Sequence, residues 1–264
     1  MLSGILYPSA GEAKVLGYTP WKRQKQYQKQ FALVMGQKNQ LWWDLPAMES
    51  FILNKEIYEV SDADFKSNIK ELVELLEIKD ILNIQVRKLS LGQRMKCELV
   101  AALLHKPKVL LLDEPTIGLD VIAQKNIRDF IKKYNRLNKT TILLTSHYME
   151  DIEQLCRRVI IVDSGKIIYD GELASLIKYY APFKLLTITF LNDGVKQEEV
   201  EKYGEINRFN PNSVSFKIPR EKIKDVAAKI LSSELPVDDI LIDELDIQDV
   251  VRKIFSNKSA FKNG

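Results

Sequence analysis

The sequence predicts an α/β protein with a doubly wound parallel sheet between layers of helices, followed by a small α+β unit. Three short apolar runs separated by helical patterns indicate the parallel sheet: residues 31–35, 108–112 and 140–145. After residue 178 the pattern changes to the order β-α-β-β-α-β, which suits a ferredoxin-like unit. We therefore expect two domains, at 1–178 and 179–264.

The composition is that of an ordinary globular protein. Of the 264 residues, 45% are hydrophobic and 28% are charged, which excludes a disordered or low-complexity chain. Lys and Arg number 39 against 36 Asp and Glu, so we expect no nucleic-acid partner. The two cysteines, Cys97 and Cys156, have no metal-binding spacing, and we expect reduced thiols. No apolar run approaches the roughly 18 residues of a membrane span, so we expect any membrane role to require a partner.

The first predicted elements follow from apolar spacing. Residues 31–35 form a continuous apolar run that stops at Gly36, which is typical of a strand entering a loop. Helices are predicted over 62–82 and from about 93 to 104. The run 108–112 is too short for a helix and ends before two carboxylates, so we expect a buried strand covered on both faces.

The following elements repeat this alternation. A helix is predicted next, with four apolar residues on one face: Ile127, Phe130, Ile131 and Tyr134. The run 140–145 is predicted to be another buried strand. A helix through Met149 and Leu155 then leads to a strand at 159–162. The turn that follows contains Gly165, which suits the left-handed position of a hairpin.

Asp113 and Glu114 follow the strand 108–112 directly. Ligands of an open parallel sheet bind beyond the carboxyl ends of its strands. One carboxylate there can hold Mg²⁺ through water, and its neighbour can orient or deprotonate an attacking water. The alternative is an ordinary acidic pair at a strand exit.

Three further polar positions lie at comparable places. Ser90 and Gln93 have the spacing of a helix-capping box, yet the same helix start, with Gly92 allowing close approach, could bind phosphate. His147 follows the strand 140–145, and Gln37 follows the strand 31–35. Because these positions point to one crevice, together they predict a ligand site.

The order of these segments resembles that of the ATP-binding subunits of ABC transporters. The Walker B stretch is 109–116, the D-loop is 118–120 and the signature segment is 89–94. Gln37 corresponds to the Q-loop glutamine and His147 to the switch histidine. Met95 and the segment 40–46 are similar to exporters of the multidrug and daunorubicin type, a branch in which Leu91 replaces the usual glycine.

One part of the family pattern is missing. No Gly-x-x-x-x-Gly-Lys-Ser/Thr occurs, and the single Gly-Lys pair, Gly165-Lys166, lies in the predicted hairpin. The loop would supply a backbone N–H nest, a phosphate-binding lysine and a hydroxyl for Mg²⁺. The resemblance therefore implies a three-layer P-loop NTPase core that lacks its first strand and phosphate loop, with a helical subdomain at about 45–105. We expect the missing parts just upstream of residue 2.

The resemblance also implies roles for individual residues, with ATP and Mg²⁺ as cofactors. Glu114 would polarise the attacking water and His147 would steady the γ-phosphate region. Asp113, through water, and Gln37 would be the metal-binding residues, and Gln37 would report the nucleotide state. Across a head-to-tail pair, ATP would be contacted by Ser90, Gly92 and Gln93, and the two sites would be coupled by Asp120.

The implied protein is an ABC-type ATPase that drives an exporter. Its partners would be a second ATP-binding subunit and a transmembrane permease, at the inner face of the cell membrane in the cytoplasm. Trp42 and Trp43 would suit a permease interface if exposed, or they belong to the core. Without the phosphate loop, we expect little activity from this chain alone. The alternative is a non-catalytic partner that lends its signature segment to a complete subunit. A soluble ABC ATPase of DNA repair or translation is disfavoured, since the sequence contains no coiled-coil insertion.

Overall fold

A computed structural model describes residues 1–180 and 182–244 of the chain. The chain divides into two compact units, Met1–Leu155 and Cys156–Gly264. The domain boundary that we predict after residue 178 stays a prediction. Among the described residues, no helix combines the length and apolarity needed to cross a membrane.

The first unit contains a parallel three-stranded sheet in the order β1-β2-β3. Its strands are β1 (Phe31–Met35), β2 (Val109–Asp113) and β3 (Thr141–Thr145). The helices are α1 (Lys25–Gln28), α2 (Ala47–Ile57), α3 (Asp62–Leu76), α4 (Leu91–Leu103), α5 (Val121–Asn138) and α6 (Met149–Leu155). Short 3-10 turns lie at Pro20–Lys22, Lys79–Ile81 and Val86–Lys88. All three predicted strands are therefore confirmed as neighbours in one parallel sheet.

The strand register places one face of the sheet against the core. Ala32, Leu110 and Ile142 lie side by side in one row of this face, and the next row repeats the pattern. The strand residues on this face contact the apolar core of the unit. On the opposite face Leu143 is 44% exposed. The expectation of a buried third strand is thus wrong, because β3 is an edge strand and no described strand pairs with its outer side.

The ends of the helices follow from local capping. The helix predicted over 62–82 ends at Leu76, because Glu77 adopts a left-handed conformation with φ of 54°. Helix α4 begins at Leu91, two residues before the predicted start, and Ser90 caps it. Along α5, one face is buried in the core, as its apolar spacing predicts. Helix α4 packs against α2 and α3, so these three helices form the helical part of the unit.

The second unit begins with a two-stranded antiparallel hairpin of β4 (Arg158–Asp163) and β5 (Lys166–Glu172). Both turn residues, Ser164 and Gly165, have positive φ, as a tight hairpin turn requires. Helix α7 (Leu173–Tyr180) follows. The strand predicted at 159–162 therefore pairs within this hairpin in the described structure.

The rest of the second unit is a four-stranded antiparallel sheet with the order β7-β8-β6-β9. The elements are β6 (Phe183–Phe190), α8 (Gln197–Val200), β7 (Glu205–Asn210), β8 (Ser213–Pro219), α9 (Ile223–Leu231) and β9 (Val237–Asp243). Each helical crossover skips one strand, which is the split β-α-β arrangement of ferredoxin-like units. The buried apolar residues of the sheet and α9 form a separate core.

Candidate functional site

The carboxyl ends of the three parallel strands are joined by hydrogen bonds. Asp113 lies between Met35 and Thr145 in the register of the sheet. The hydroxyl of Thr145 donates to Asp113 Oδ1 over 2.6 Å, and the N–H of Gly36 donates to the Asp113 carbonyl over 2.8 Å. The parallel register thus places the predicted carboxylate at the centre of this edge.

Glu114 is the second carboxylate of this edge, and it meets His147. The His147 N–H donates to Glu114 Oε2 over 3.1 Å, and His147 Nε2 lies 3.2 Å from Oε1. The Glu114 side chain is only 15% exposed, whereas that of His147 is 86% exposed. Glu114 also has a left-handed φ of 52°, which is uncommon for a residue with a side chain. The structure therefore brings the two predicted catalytic residues into direct contact.

Gly36 explains how the ends of β1 and β2 can approach so closely. A Cβ at this position would lie 1.9 Å from the Glu114 carbonyl oxygen. Only a residue without a side chain fits there, so Gly36 is required by the proximity of two backbones. Gln37, the next residue, is exposed at the same edge. Sequence reasoning identified Gly36 only as the end of a strand.

The signature segment forms the start of α4. The Gln93 N–H donates to Ser90 Oγ over 3.2 Å, and the Ser90 N–H donates to Gln93 Oε1 over 2.9 Å. The predicted capping box is therefore confirmed. The proposed phosphate-binding role of this segment uses the same residues and stays a prediction.

The start of α4 also lies against the start of α5. Gly92 packs so closely that a Cβ there would be 3.0 Å from the Cβ of Ala123. Asp120 caps α5 by accepting the Ala123 N–H over 2.9 Å. Ala123 thus links the signature segment to the residue predicted to couple two sites.

The predicted site residues consequently fall into two groups. The strand-end group comprises Gln37, Asp113, Glu114 and His147, and the helix-start group comprises Ser90, Gly92, Gln93 and Asp120. Glu114 contacts His147, Ser90 contacts Gln93, and Gly92 and Asp120 both lie against Ala123. The loop 114–120 joins the two groups along the chain. The individual roles of all eight residues remain predictions.

The strand-end group offers oxygen ligands of the kind that Mg²⁺ prefers. Asp113 Oδ1 accepts from Thr145, while Oδ2 has no hydrogen-bond partner among the described residues. No cluster of three or more His, Cys, Asp or Glu with metal-binding geometry occurs in the described part of the chain. Asp113 and Gln37 therefore fit a Mg²⁺ that keeps waters and phosphate oxygens as its other ligands, rather than an all-protein metal cage.

Sequence reasoning missed a buried polar network beside the strand-end group. Asp151 is fully buried, and its carboxylate accepts hydrogen bonds from Thr116, Ser146 and Arg128. Arg128 is itself only 1% exposed. A signal was present, since Arg128 lies one helical turn after Gln124 and next to the apolar face of α5.

A second missed residue is Glu98, which is buried on α4. Its Oε1 accepts the N–H of Gln40 over 2.7 Å and that of Leu41 over 3.4 Å. Burial raises the pKa of the Glu98 carboxyl, and the two backbone donors oppose this rise. Glu98 thus anchors the segment that leads to Trp42 and Trp43.

Both tryptophans are exposed, Trp42 at 56% and Trp43 at 47%. The alternative that they belong to the core is therefore wrong, and the permease interface stays a prediction. The Arg94 guanidinium lies 5.4 Å from the centroid of the Trp43 ring, within the range of a cation–π contact. Helix α4 therefore supports this aromatic surface at Arg94 as well as at Glu98.

Comparisons with known proteins agree with this architecture. The family model described as ABC transporter matches residues 1–117, and that described as EvrA-like ABC transporter, C-terminal domain, matches residues 182–250. The ABC transporter ATP-binding protein NatA of Bacillus subtilis is 34% identical over 176 residues, which are 67% of this chain and 71% of NatA.

Two further ATP-binding proteins are similar to this chain, one in sequence and one in structure. The linearmycin resistance ATP-binding protein LnrL of Bacillus subtilis is 30% identical over 67% of this chain, and the match spans only 56% of LnrL. A solved ATP-binding subunit of an ABC transporter superposes with a TM-score of 0.60 at 25% identity, covering 68% of this chain and 74% of its own. The strand-end and helix-start groups are thus found in a chain that belongs to the family of ABC transporter ATP-binding proteins.

Proposed function

We propose that this chain is the ATP-hydrolysing subunit of an ABC exporter whose membrane permease is a separate protein. The observation that carries the proposal is the contact of Glu114 with both the backbone N–H and the imidazole of His147. A sheltered carboxylate and an exposed imidazole thus meet at the carboxyl edge of a parallel sheet, the edge where ligands of open parallel sheets generally bind. Such a pair can orient a water molecule and stabilise charge beside it.

The residues of the strand-end group divide three tasks in this proposal. ATP would supply the phosphoanhydride bond, and bound Mg²⁺ would neutralise its negative charge. Asp113, through water, and Gln37 would hold the metal. Glu114 orients the attacking water and accepts its proton, while His147 donates a hydrogen bond toward the γ-phosphate region.

The helix-start group acts on the nucleotide of a second subunit. Ser90 Oγ accepts the Gln93 N–H, so its own hydroxyl proton is available to a phosphate oxygen. Gly92 lets phosphate approach the backbone, and the N-terminal end of α4 favours negative charge. Asp120, held at the adjacent start of α5, couples the two sites of the pair.

The proposal requires a phosphate loop from outside these 264 residues, because the sequence contains no Gly-x-x-x-x-Gly-Lys-Ser/Thr. The outer edge of β3 supports this requirement. Its backbone groups have no strand partner among the described residues, and its sequence, Thr-Ile-Leu-Leu-Thr, is apolar enough for an interior strand. The edge is therefore suited to accept one more strand, which would lead into the phosphate loop.

The permease would dock on the exposed aromatic surface of Trp42 and Trp43, on the cytoplasmic side of the membrane. Exposed aromatic residues beside an arginine are typical of protein interfaces. An exporter, rather than another transporter, is favoured by the similarity of the segment 40–46 and Met95 to the multidrug and daunorubicin branch. The linearmycin resistance relative is consistent with this direction.

The test compares phosphate release from ATP by the 264-residue chain and by a version preceded by a strand and phosphate loop. We expect negligible release from the first and measurable release from the second. Glu114→Gln should suppress the release, whereas the exposed carboxylate variant Asp129→Asn should not. Rapid hydrolysis by the 264 residues alone would show that the phosphate loop is not essential.

The version preceded by a strand and phosphate loop is called the loop-bearing protein. If it released no phosphate from ATP, the assignment as an ATPase would be overturned. The same protein should then be mixed with a complete ATP-binding subunit from the family. If it raised the hydrolysis by that subunit, and if substitution of Ser90 removed the effect, the non-catalytic partner role would replace our proposal.

A further inference from the structure

We propose that Asp151 is a positioning residue that fixes the loop carrying Glu114 relative to the loop carrying His147. This inference rests on the proposed function, since it concerns the same pair of residues. Asp151 itself touches neither of them in any described hydrogen bond. Its side chain is fully buried at the start of α6 and accepts hydrogen bonds from three different segments of the chain.

Two of these segments are the loops that form the candidate site. Thr116, two residues after Glu114, donates a hydrogen bond from its hydroxyl to Asp151 Oδ2. Ser146, the residue before His147, donates to the same oxygen over 2.7 Å. One carboxylate oxygen therefore joins the two loops behind the contact between Glu114 and His147.

The third segment is α5, which begins directly after Asp120. Arg128 Nη1 lies 3.1 Å from Asp151 Oδ1, and Arg128 Nη2 lies 3.0 Å from Glu150 Oε1. The guanidinium is thus held by two successive residues of α6. Because Asp151 is buried and Arg128 is its only cationic partner among the described contacts, loss of the Arg128 charge would leave this carboxylate buried and uncompensated.

Ser146 transmits this anchoring to His147. Its Oγ accepts the N–H of Tyr148 over 3.0 Å while donating to Asp151, so the turn containing His147 is held on both sides. In this turn the His147 N–H points to Glu114. The direction of that N–H consequently depends on Asp151 through Ser146, and the position of Glu114 depends on Asp151 through Thr116.

The test measures hydrogen–deuterium exchange of the His147 amide in the free 264-residue chain. The variants are Ser146→Ala and Thr116→Val, each of which removes one bond to Asp151 and leaves its ion pair with Arg128 intact. Ser146→Ala also removes the acceptor of the Tyr148 N–H, so Thr116→Val is the variant that leaves the bonds of the His147 turn in place. We expect either variant to raise the exchange rate of the His147 amide about tenfold, the factor that corresponds to about 1.4 kcal/mol. Thr116 has no described contact with His147, so its effect would have to pass through the shared carboxylate or through Glu114.

The control is Glu150→Gln, which weakens the exposed contacts of Glu150 with Arg128 and Gln154 and should leave the His147 amide unchanged. Amides of β1 serve as the internal reference for overall stability. A rise confined to residues 113–117 and 144–148 supports positioning. A uniform rise across the first unit, or no change at His147, overturns it. Asp151→Asn tests the same point if it folds, and Ser146→Ala and Thr116→Val decide the matter if it does not.

A kinetic arm separates this inference from the proposed function. In the loop-bearing protein, Ser146→Ala should lower kcat at least about tenfold while KM for ATP changes less than about twofold. If the variants raise amide exchange only in the two loops, but the loop-bearing protein does not hydrolyse ATP, the positioning role stands and the ATPase assignment is wrong. Hydrolysis that is unaffected by the two variants would overturn the positioning role alone.

Discussion

His147 engages both carboxylate oxygens of Glu114, one through its backbone N–H at 3.1 Å and the other through Nε2 at 3.2 Å. The carboxylate is therefore already oriented in the free chain. Each carboxylate oxygen has two acceptor sites, so Glu114 can also accept a hydrogen bond from the attacking water. The exposed imidazole is the contact that can move, because the backbone N–H is held in a turn anchored through Ser146.

The first prediction concerns this imidazole. His147→Ala in the loop-bearing protein should reduce phosphate release by roughly 10²-fold or more, since a hydrogen-bond donor aimed at developing charge contributes on that order. Binding of ATP, measured by equilibrium dialysis, should change little. The neighbouring variant Tyr148→Phe is the control, and it should retain full hydrolysis. Equal losses in the two variants would show that the effect is not specific to the imidazole.

The second prediction concerns Gly36. Gly36→Ala places a methyl group against the Glu114 carbonyl, and the two backbones have to separate. We expect a loss of about 3 kcal/mol in the free energy of unfolding, the upper range for overpacking, measured with urea. Gly194→Ala provides the control, because its Cβ would meet only Asn192 Oδ1 at 3.5 Å. A Gly36→Ala protein as stable as this control would contradict the close approach of β1 and β2.

The third prediction concerns the anchor of the tryptophan segment. Glu98→Ala leaves the N–H groups of Gln40 and Leu41 without their acceptor, at a cost of about 1–3 kcal/mol. Trp42 and Trp43 should then become more accessible to a fluorescence quencher such as acrylamide. Glu98→Gln keeps an acceptor oxygen and should preserve the quenching of the natural protein. Unchanged quenching in Glu98→Ala would show that the segment does not depend on this carboxylate.

The fourth prediction concerns acid stability. His105 stacks on Tyr58 with ring centroids 3.8 Å apart, and burial lowers its pKa from 6.5 to about 4. Because the unfolded chain binds a proton at His105 more readily than the folded chain, protonation favours unfolding. The contribution of neutral His105 to the free energy of unfolding is fully present above pH 6.5 and is lost as the pH falls through 4. Between these two pH values the free energy of unfolding should fall by about 3 kcal/mol. His105→Gln should flatten the change in unfolding free energy between pH 7 and pH 4.5. The same pH slope in both proteins would assign the effect to other groups.

The fifth prediction concerns the second unit, for which we propose a role in pairing subunits. A chain that ends at Lys178 lacks the four-stranded sheet and should associate less strongly with itself. Analytical ultracentrifugation over a range of concentrations measures the change. The same concentration dependence of sedimentation in the shortened and full chains would exclude a role of the second unit in pairing.

Much of the first unit could be predicted because its signals are local. The strands β1, β2 and β3 were recognisable as short apolar runs that end in polar residues. The capping box at Ser90 and Gln93 depends on residues only three positions apart, and the structure contains both of its hydrogen bonds. Glu114 and His147 were predicted to share one edge, because parallel strands bring their carboxyl ends together.

The other features depend on residues far apart in the chain, and only the tertiary structure decided them. Asp151 and Thr116 are separated by 35 residues, and Glu98 and Gln40 by 58, so no local pattern predicts that they meet. The exposure of Leu143 in β3 depends on which elements are present to cover it.

The order of the elements and the polar groups at the strand ends can be deduced from the amino-acid sequence. This information is carried by apolar spacing and by short-range capping. Which buried carboxylates act as anchors, and which apolar residues remain exposed, became clear only from the packed elements. The physical reason is that burial and hydrogen-bond pairing are properties of the packed elements together, and they cannot be assigned to one segment alone.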